Sequence, residues 1–147
     1  MTDAKFDDQL LTNLELLHAL FGNWDYRLAQ IGSGLWNTDV IQLANQQLVP
    51  VAGDFDLSSW VTEQARPDAP HDYRPDLPEI ERQAHYETEQ ILARAGVARF
   101  EVGRNYFREA RAAIEAQIAS AEVDEPGRTN ALRHVAAFYD ALAEALR

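Results

Sequence analysis

Four of the chain's six prolines lie between residues 66 and 78. Proline has no backbone N–H and fixes its own φ angle, so no helix interior can cross this stretch. We therefore predict an extended surface connection over 66–78, with an N-terminal part (1–65) before it and a tail (79–147) after it. The chain has 147 residues, 46% of them apolar, which is enough for one core, and we predict a single domain over 1–147.

Helical periodicity dominates both parts of the chain. Apolar residues recur every three or four positions from Phe6 to Phe21, which predicts an amphipathic helix that ends at Gly22. The tail predicts three helices, punctuated by Gly96 and by the sequence from Asp124 to Gly127, with bounds near Pro78–Ala95, Ala98–Ala121 and Pro126–Leu146.

Two short β-rich runs, Val40–Leu43 and Leu48–Val51, predict a hairpin whose turn spans 44–47. The predicted fold class is therefore mainly α with a small β-hairpin, that is, α+β. No internal repeat interrupts this pattern.

Charge and composition restrict the partners. The 13 basic and 24 acidic residues give a formal charge of −11, which disfavours nucleic acid and anionic lipid surfaces. No apolar run is long enough to span a bilayer, and we predict no membrane insertion. The absence of cysteine is compatible with a reducing compartment, so we expect a cytoplasmic location. Oligomeric state is left open.

Two acids and an amide occur in a suggestive order around the predicted hairpin. Asp25 precedes it, Asn37 stands at its start, and Asp54 stands at its end, with Asp56 two residues further on. Phosphoryl transfer needs a carboxylate to orient the acceptor and oxygen ligands to hold magnesium against the phosphates. In extended chain, Asp54 and Asp56 share one face, while Phe55 points to the other face and into the core. Two adjacent carboxylates with no nearby base favour a bound cation.

These residues resemble the metal-binding half of CotH-like kinases. That family has a Gly-Asn-x-Asp element, an asparagine at the start of a hairpin, and a Pro-x-x-Asp-Phe/Tyr-Asp element after it. The corresponding residues are Gly22-Asn23-Trp24-Asp25, Asn37, and Asp54-Phe55-Asp56, which here follows Pro50 with three residues between them instead of two. The tail resembles the family's C-terminal helices.

The resemblance implies a role for each site residue. Asp25 would be the catalytic acid/base. Asn37 and Asp54 would bind Mg²⁺ or Mn²⁺ and, through it, the phosphates of ATP, with Asp56 in support. The family's N-terminal lobe supplies the phosphate-binding lysine and would need about a hundred residues upstream, whereas this chain's only lysine is Lys5. We therefore expect a fragment or an incomplete phosphotransferase, with an N-lobe or another protein as a possible partner.

Other interpretations stay open at this point. Asp25 and Asn37 are also typical turn residues, and Asp54 and Asp56 fit a solvated strand end. A helical binding or scaffold module without chemistry is the alternative function.

Further expectations concern the histidines, two glutamates, the arginines and the aromatic residues. His18 is expected in the core or at its rim, while Glu81, His85, Glu89 and His134 are expected on the surface. Arg104, Arg108 and Arg111 are expected to pair with the surplus acids. Trp24, Tyr26, Trp36 and Trp60 are expected to form a core beneath the site.

Overall fold

The computed structural model describes residues 6–23, 38–53, 55, 58, 60, 70 and 72–147. Within these ranges it contains four helices and a two-stranded antiparallel sheet, which confirms the predicted α+β class. The elements, in chain order, are α1 (Asp8–Phe21), β1 (Thr38–Gln42), β2 (Leu48–Ala52), α2 (Glu79–Ala95), α3 (Val97–Ser120) and α4 (Glu125–Glu144). None of the helices in this part of the chain has the length and apolar content needed to cross a bilayer.

The helix ends follow from local capping chemistry. The Asp7 carboxylate accepts hydrogen bonds from the backbone N–H groups of Gln9 (2.8 Å) and Leu10 (3.0 Å), which fixes the start of α1. Gly22 ends that helix in the left-handed conformation (φ 57°), which glycine adopts without steric cost. The Asp124 carboxylate accepts from the Gly127 N–H at 2.9 Å and starts α4. The predicted bounds of all four helices are confirmed to within two residues.

The core lies where α1 packs against α2, α3 and α4. From α4 it takes Val135, Phe138 and Leu142. From α1 it takes Leu20, which belongs to the predicted apolar repeat, and also Leu16, which is completely buried. Since three helices surround α1, it buries side chains in several directions, and one apolar face does not describe it.

The hairpin lies at the predicted position. Val40 pairs with Pro50 and Ile41 with Val49, and the chain turns over residues 43–47. Proline is tolerated there because the sheet described has two strands, so each is an edge strand. A bridge between Phe6 and Leu48, together with contacts of β2 to α1, attaches the hairpin to the first helix.

The predicted proline-rich connection, 66–78, is described at residues 70 and 72–78. Its last part, residues 72–78, consists of turns that lead into α2. Arg74 adopts a positive φ of 43°, an uncommon conformation for a residue with a side chain. Its guanidinium donates hydrogen bonds to His85 of α2 and to Glu144 of α4.

Candidate functional site

All four residues of the predicted site, Asp25, Asn37, Asp54 and Asp56, lie outside the described residues. Trp24, Tyr26 and Trp36 of the predicted aromatic core lie outside them as well. The structure does describe the residues that flank the motif at both ends. The arrangement of these flanking residues defines the candidate site.

The two halves of the motif are joined by a backbone bridge. Asn23 and Ser58 form an antiparallel β-bridge, and both residues are buried. Paired residues in such a bridge have Cα atoms about 4.5–5.5 Å apart. Asn23 belongs to the first motif element, and Ser58 follows the last one by two residues. The fold therefore brings together two segments that are 35 positions apart in sequence.

His18 supports this bridge from α1. The Asn23 side-chain amide donates a hydrogen bond to His18 Nδ1 at 3.1 Å, and an accepting Nδ1 requires the neutral ring to carry its proton on Nε2. Burial lowers the pKa of His18 to about 4, so the ring is neutral at pH 7. The prediction that His18 lies in the core is confirmed.

Phe55 packs on the same helix, as the predicted strand alternation requires. Its ring lies 5.5 Å from the His18 ring and 4.9 Å from the Phe21 ring, measured between centroids. Phe55 stands between Asp54 and Asp56 in sequence. The aromatic residue of the Asp-Phe-Asp element is therefore anchored against α1.

Trp60 fixes the chain just after the motif. Its indole N–H donates to the Leu20 carbonyl at 3.0 Å, and its ring lies 4.5 Å from that of Phe21. From α4, the Asn130 amide donates to the Trp60 carbonyl at 3.3 Å. Trp60 packs against the hydrophobic core, as expected, while the motif residues themselves lie outside the described part of the chain. The first and last helices together hold this residue in place.

A small polar cavity of about 10 Å³ lies next to Gly22, where the motif begins. Its polar lining consists of Gln83 and Glu87 from α2 and His134 from α4, all buried. Gln83 donates to the Glu87 carboxylate at 2.9 Å. Within the described part of the chain, Gln83 Oε1 and His134 Nε2 have no hydrogen-bond partner. Buried polar atoms without a hydrogen-bond partner lower the free energy of unfolding. They are rare in ordinary cores, and a functional role is one explanation for them.

A second polar cluster joins the connection to α2 and α4. Arg74 donates to His85 Nδ1 at 2.7 Å and to the Glu144 carboxylate at 3.1 Å, beside a cavity of about 230 Å³. An accepting Nδ1 requires His85 to be neutral. Burial, reinforced by the charge of Arg74, lowers the pKa of His85. The cluster fixes the start of α2 relative to the end of α4.

Two histidines expected on the surface are buried, and those predictions were wrong. His134 has 7% of its surface exposed and His85 has 6%. On α2 the predicted solvated row of Glu81, His85 and Glu89 is exposed only at Glu89, because α4 packs across this side of the helix. The Gln83 and Glu87 pair was missed, although its spacing of four residues places both side chains on one helix face.

No group of three or more His, Asp or Glu side chains within the described residues is placed to hold a metal ion. The predicted ligands Asn37, Asp54 and Asp56 are not among those residues. Comparisons of this chain with family models, with curated proteins and with solved structures returned no match. The functional interpretation therefore rests on the motif residues and on the geometry of their flanks.

Proposed function

We propose that this chain is a kinase-like phosphotransfer lobe that binds Mg²⁺ and a nucleotide phosphate. Asp25 orients the acceptor hydroxyl and accepts its proton, while Asn37 and Asp54 ligate the metal with Asp56 in support. A bound Mg²⁺ would neutralise charge on the phosphates. The observation that supports this proposal best is the Asn23–Ser58 bridge.

The bridge supports the proposal because two of the proposed site residues lie close to it in sequence. Asp25 follows Asn23 by two residues, and Asp56 precedes Ser58 by two. The bridge therefore holds together the two segments that carry the proposed acid/base, Asp25, and the proposed metal ligands Asp54 and Asp56. A kinase site requires this proximity. Phe55 adds support, since anchoring its ring on α1 fixes the chain midway between Asp54 and Asp56.

A binding module without chemistry is the second candidate, and one surface favours it. Val102 and Tyr106 lie one turn apart on α3, with 55% and 61% of their surfaces exposed. Exposed apolar residues on one helix face are typical of a docking surface for another protein. This function requires neither a metal nor a nucleotide, so metal binding separates the two candidates.

Metal binding is the first test of the kinase-like proposal, because Trp24, Trp36 and Trp60 flank the motif. Adding Mn²⁺ or Mg²⁺ and then ATP should change tryptophan fluorescence in a saturable way. Asp54→Asn removes one ligand charge and should weaken metal binding at least about tenfold, the lower end for loss of a charged interaction. Binding is a better measure than turnover, since Lys5 is the chain's only lysine.

The matched control is Asp140→Asn, which removes the same charge from an exposed position on α4. It should change the metal affinity less than twofold, as expected for a screened surface charge. An unchanged response in Asp54→Asn, or equal losses in both variants, would contradict the proposed metal site. A wild-type protein that gives no response at millimolar metal would favour the binding module.

A further inference from the structure

A groove between α3 and α4 is lined by three arginines. The cavity has a volume of about 360 Å³, and its described lining consists of Arg104, Arg108, Arg111, Tyr139 and Ala143. The arginines are spaced by four and three residues, which places them on one helix face. No acid is among these five residues, although the chain has 24 acids and 13 bases. The groove is therefore a local concentration of positive charge on an acidic protein.

Arg111 is held in position at the groove. Its guanidinium carbon lies 4.8 Å from the centroid of the Tyr139 ring, a cation–π arrangement. The ring is itself fixed, because Tyr139 is buried and its hydroxyl donates to the Phe107 carbonyl at 2.7 Å. The Arg111 Nε–H donates a hydrogen bond to the Glu115 carboxylate at 2.7 Å. Within the described part of the chain its Nη groups form no hydrogen bond.

Arg104 has an unmet hydrogen-bonding requirement. Its side chain is 20% exposed, and its contact with Glu101 is long at 3.6 Å. Its Nε–H is buried without a hydrogen-bond partner in the described ranges. A buried charged donor without an acceptor is costly.

Arg108 differs from its two neighbours in having no nearby counter-charge. It is exposed, and it forms no ion pair with any residue that the structure describes. The expectation that all three arginines pair with surplus acids is therefore confirmed for Arg104 and Arg111 and wrong for Arg108. Glu101 and Glu115 each offset one guanidinium, and the charge of Arg108 remains available.

We propose that this groove binds a phosphate group. Planar guanidinium forks match phosphate oxygens, and a phosphate offers enough acceptors and charge to engage three arginines together. The phosphate belongs either to a small free molecule or to a phosphorylated side chain of another protein. This site shares no residue with the proposed metal site, so either can fail without the other.

The test is isothermal titration calorimetry at low ionic strength with EDTA present, which excludes any contribution from a metal site. One arm uses inorganic pyrophosphate. A second arm uses a neutral peptide that contains phosphoserine, compared with the same peptide without phosphate. Binding in either arm supports the proposal and identifies the source of the phosphate. Absence of binding in both arms at millimolar ligand overturns it.

Substitutions locate the binding to the groove. Arg108→Gln should weaken binding at least about tenfold, as expected for loss of a charge-assisted contact, and it removes no intramolecular ion pair. The control, Arg99→Gln, removes an exposed arginine that lies on α3 like Arg108 and pairs with Asp8 of α1, and it should change the affinity less than twofold. Equal losses in the two variants would show a general charge effect and would overturn the site. Asp54→Asn should bind pyrophosphate as wild type does, which separates this result from the test of the metal site.

Discussion

Two buried histidines show how strongly single residues respond to their surroundings in this fold. Burial lowers the pKa of both His18 and His134 to about 4, and a neighbouring Arg133 adds to the effect at His134. An unfolded histidine titrates near pH 6.5. Between these two pH values the unfolded chain binds protons that the folded chain excludes. The folded state is therefore favoured above pH 6.5 and loses stability as the pH falls towards 4.

We predict that lowering the pH from 7 to 5 reduces the free energy of unfolding by about 1–2 kcal/mol for each of these histidines. Urea denaturation at a series of pH values measures the slope. His134→Gln keeps a polar side chain but removes the titration, so the slope should become shallower. His71→Gln serves as a control in the proline-rich stretch and should leave the slope closer to that of the wild type. If His134→Gln and the wild type gave the same slope, the lowered pKa of His134 would be contradicted.

At the scale of elements, the close approach of α1 and α3 depends on a glycine. A Cβ atom on Gly103 would lie 2.6 Å from Leu16 Cδ1 and 3.0 Å from Asn13 Oδ1. Leu16 is completely buried, so it has little space to move away. Glycine inside a helix is unfavourable by about 1 kcal/mol relative to alanine. The helix accepts that cost because packing at this point leaves no room for a side chain.

Gly103→Ala should therefore destabilise the protein by about 1–3 kcal/mol, the typical cost of overpacking, despite the gain in helix propensity. Asn105→Ala on the exposed face of α3 is the matched control and should be neutral or slightly stabilising. Chemical denaturation measures both. In a Leu16→Ala background the penalty for Gly103→Ala should largely disappear. A stabilised Gly103→Ala variant would show that the helices can separate.

At the scale of the whole molecule, the sequence predicted the helices and the hairpin better than it predicted which side chains become buried between them. Helices, caps and hairpin follow from local signals such as Asp124 and Gly22, which act within a few residues. The burial of His85 and His134 depends on how α2 and α4 pack against each other. The periodicity of residues within one helix does not predict that packing. For the candidate site, the sequence predicted the anchoring of Phe55 and Trp60. It did not predict that the Gln83–Glu87 pair is buried beside His134, or that three arginines of α3 line a groove with Tyr139 of α4, because both depend on contacts between elements.

The position of α1 among the tail helices has a consequence for how the chain can be divided. Leu16 and Leu20 share one hydrophobic cluster with Ile91, Phe100 and Phe138, which follow the proline-rich stretch. The two pieces 1–65 and 70–147, produced separately, should therefore reassociate on mixing and elute together in size-exclusion chromatography. Leu16→Ala in the shorter piece should weaken this complementation, because buried apolar area drives it. Pieces that each melt cooperatively and never combine would show that the shared core is dispensable. If they do combine, burial of α1 among the tail helices is enough to attach the piece that bears the motif to the rest of the fold.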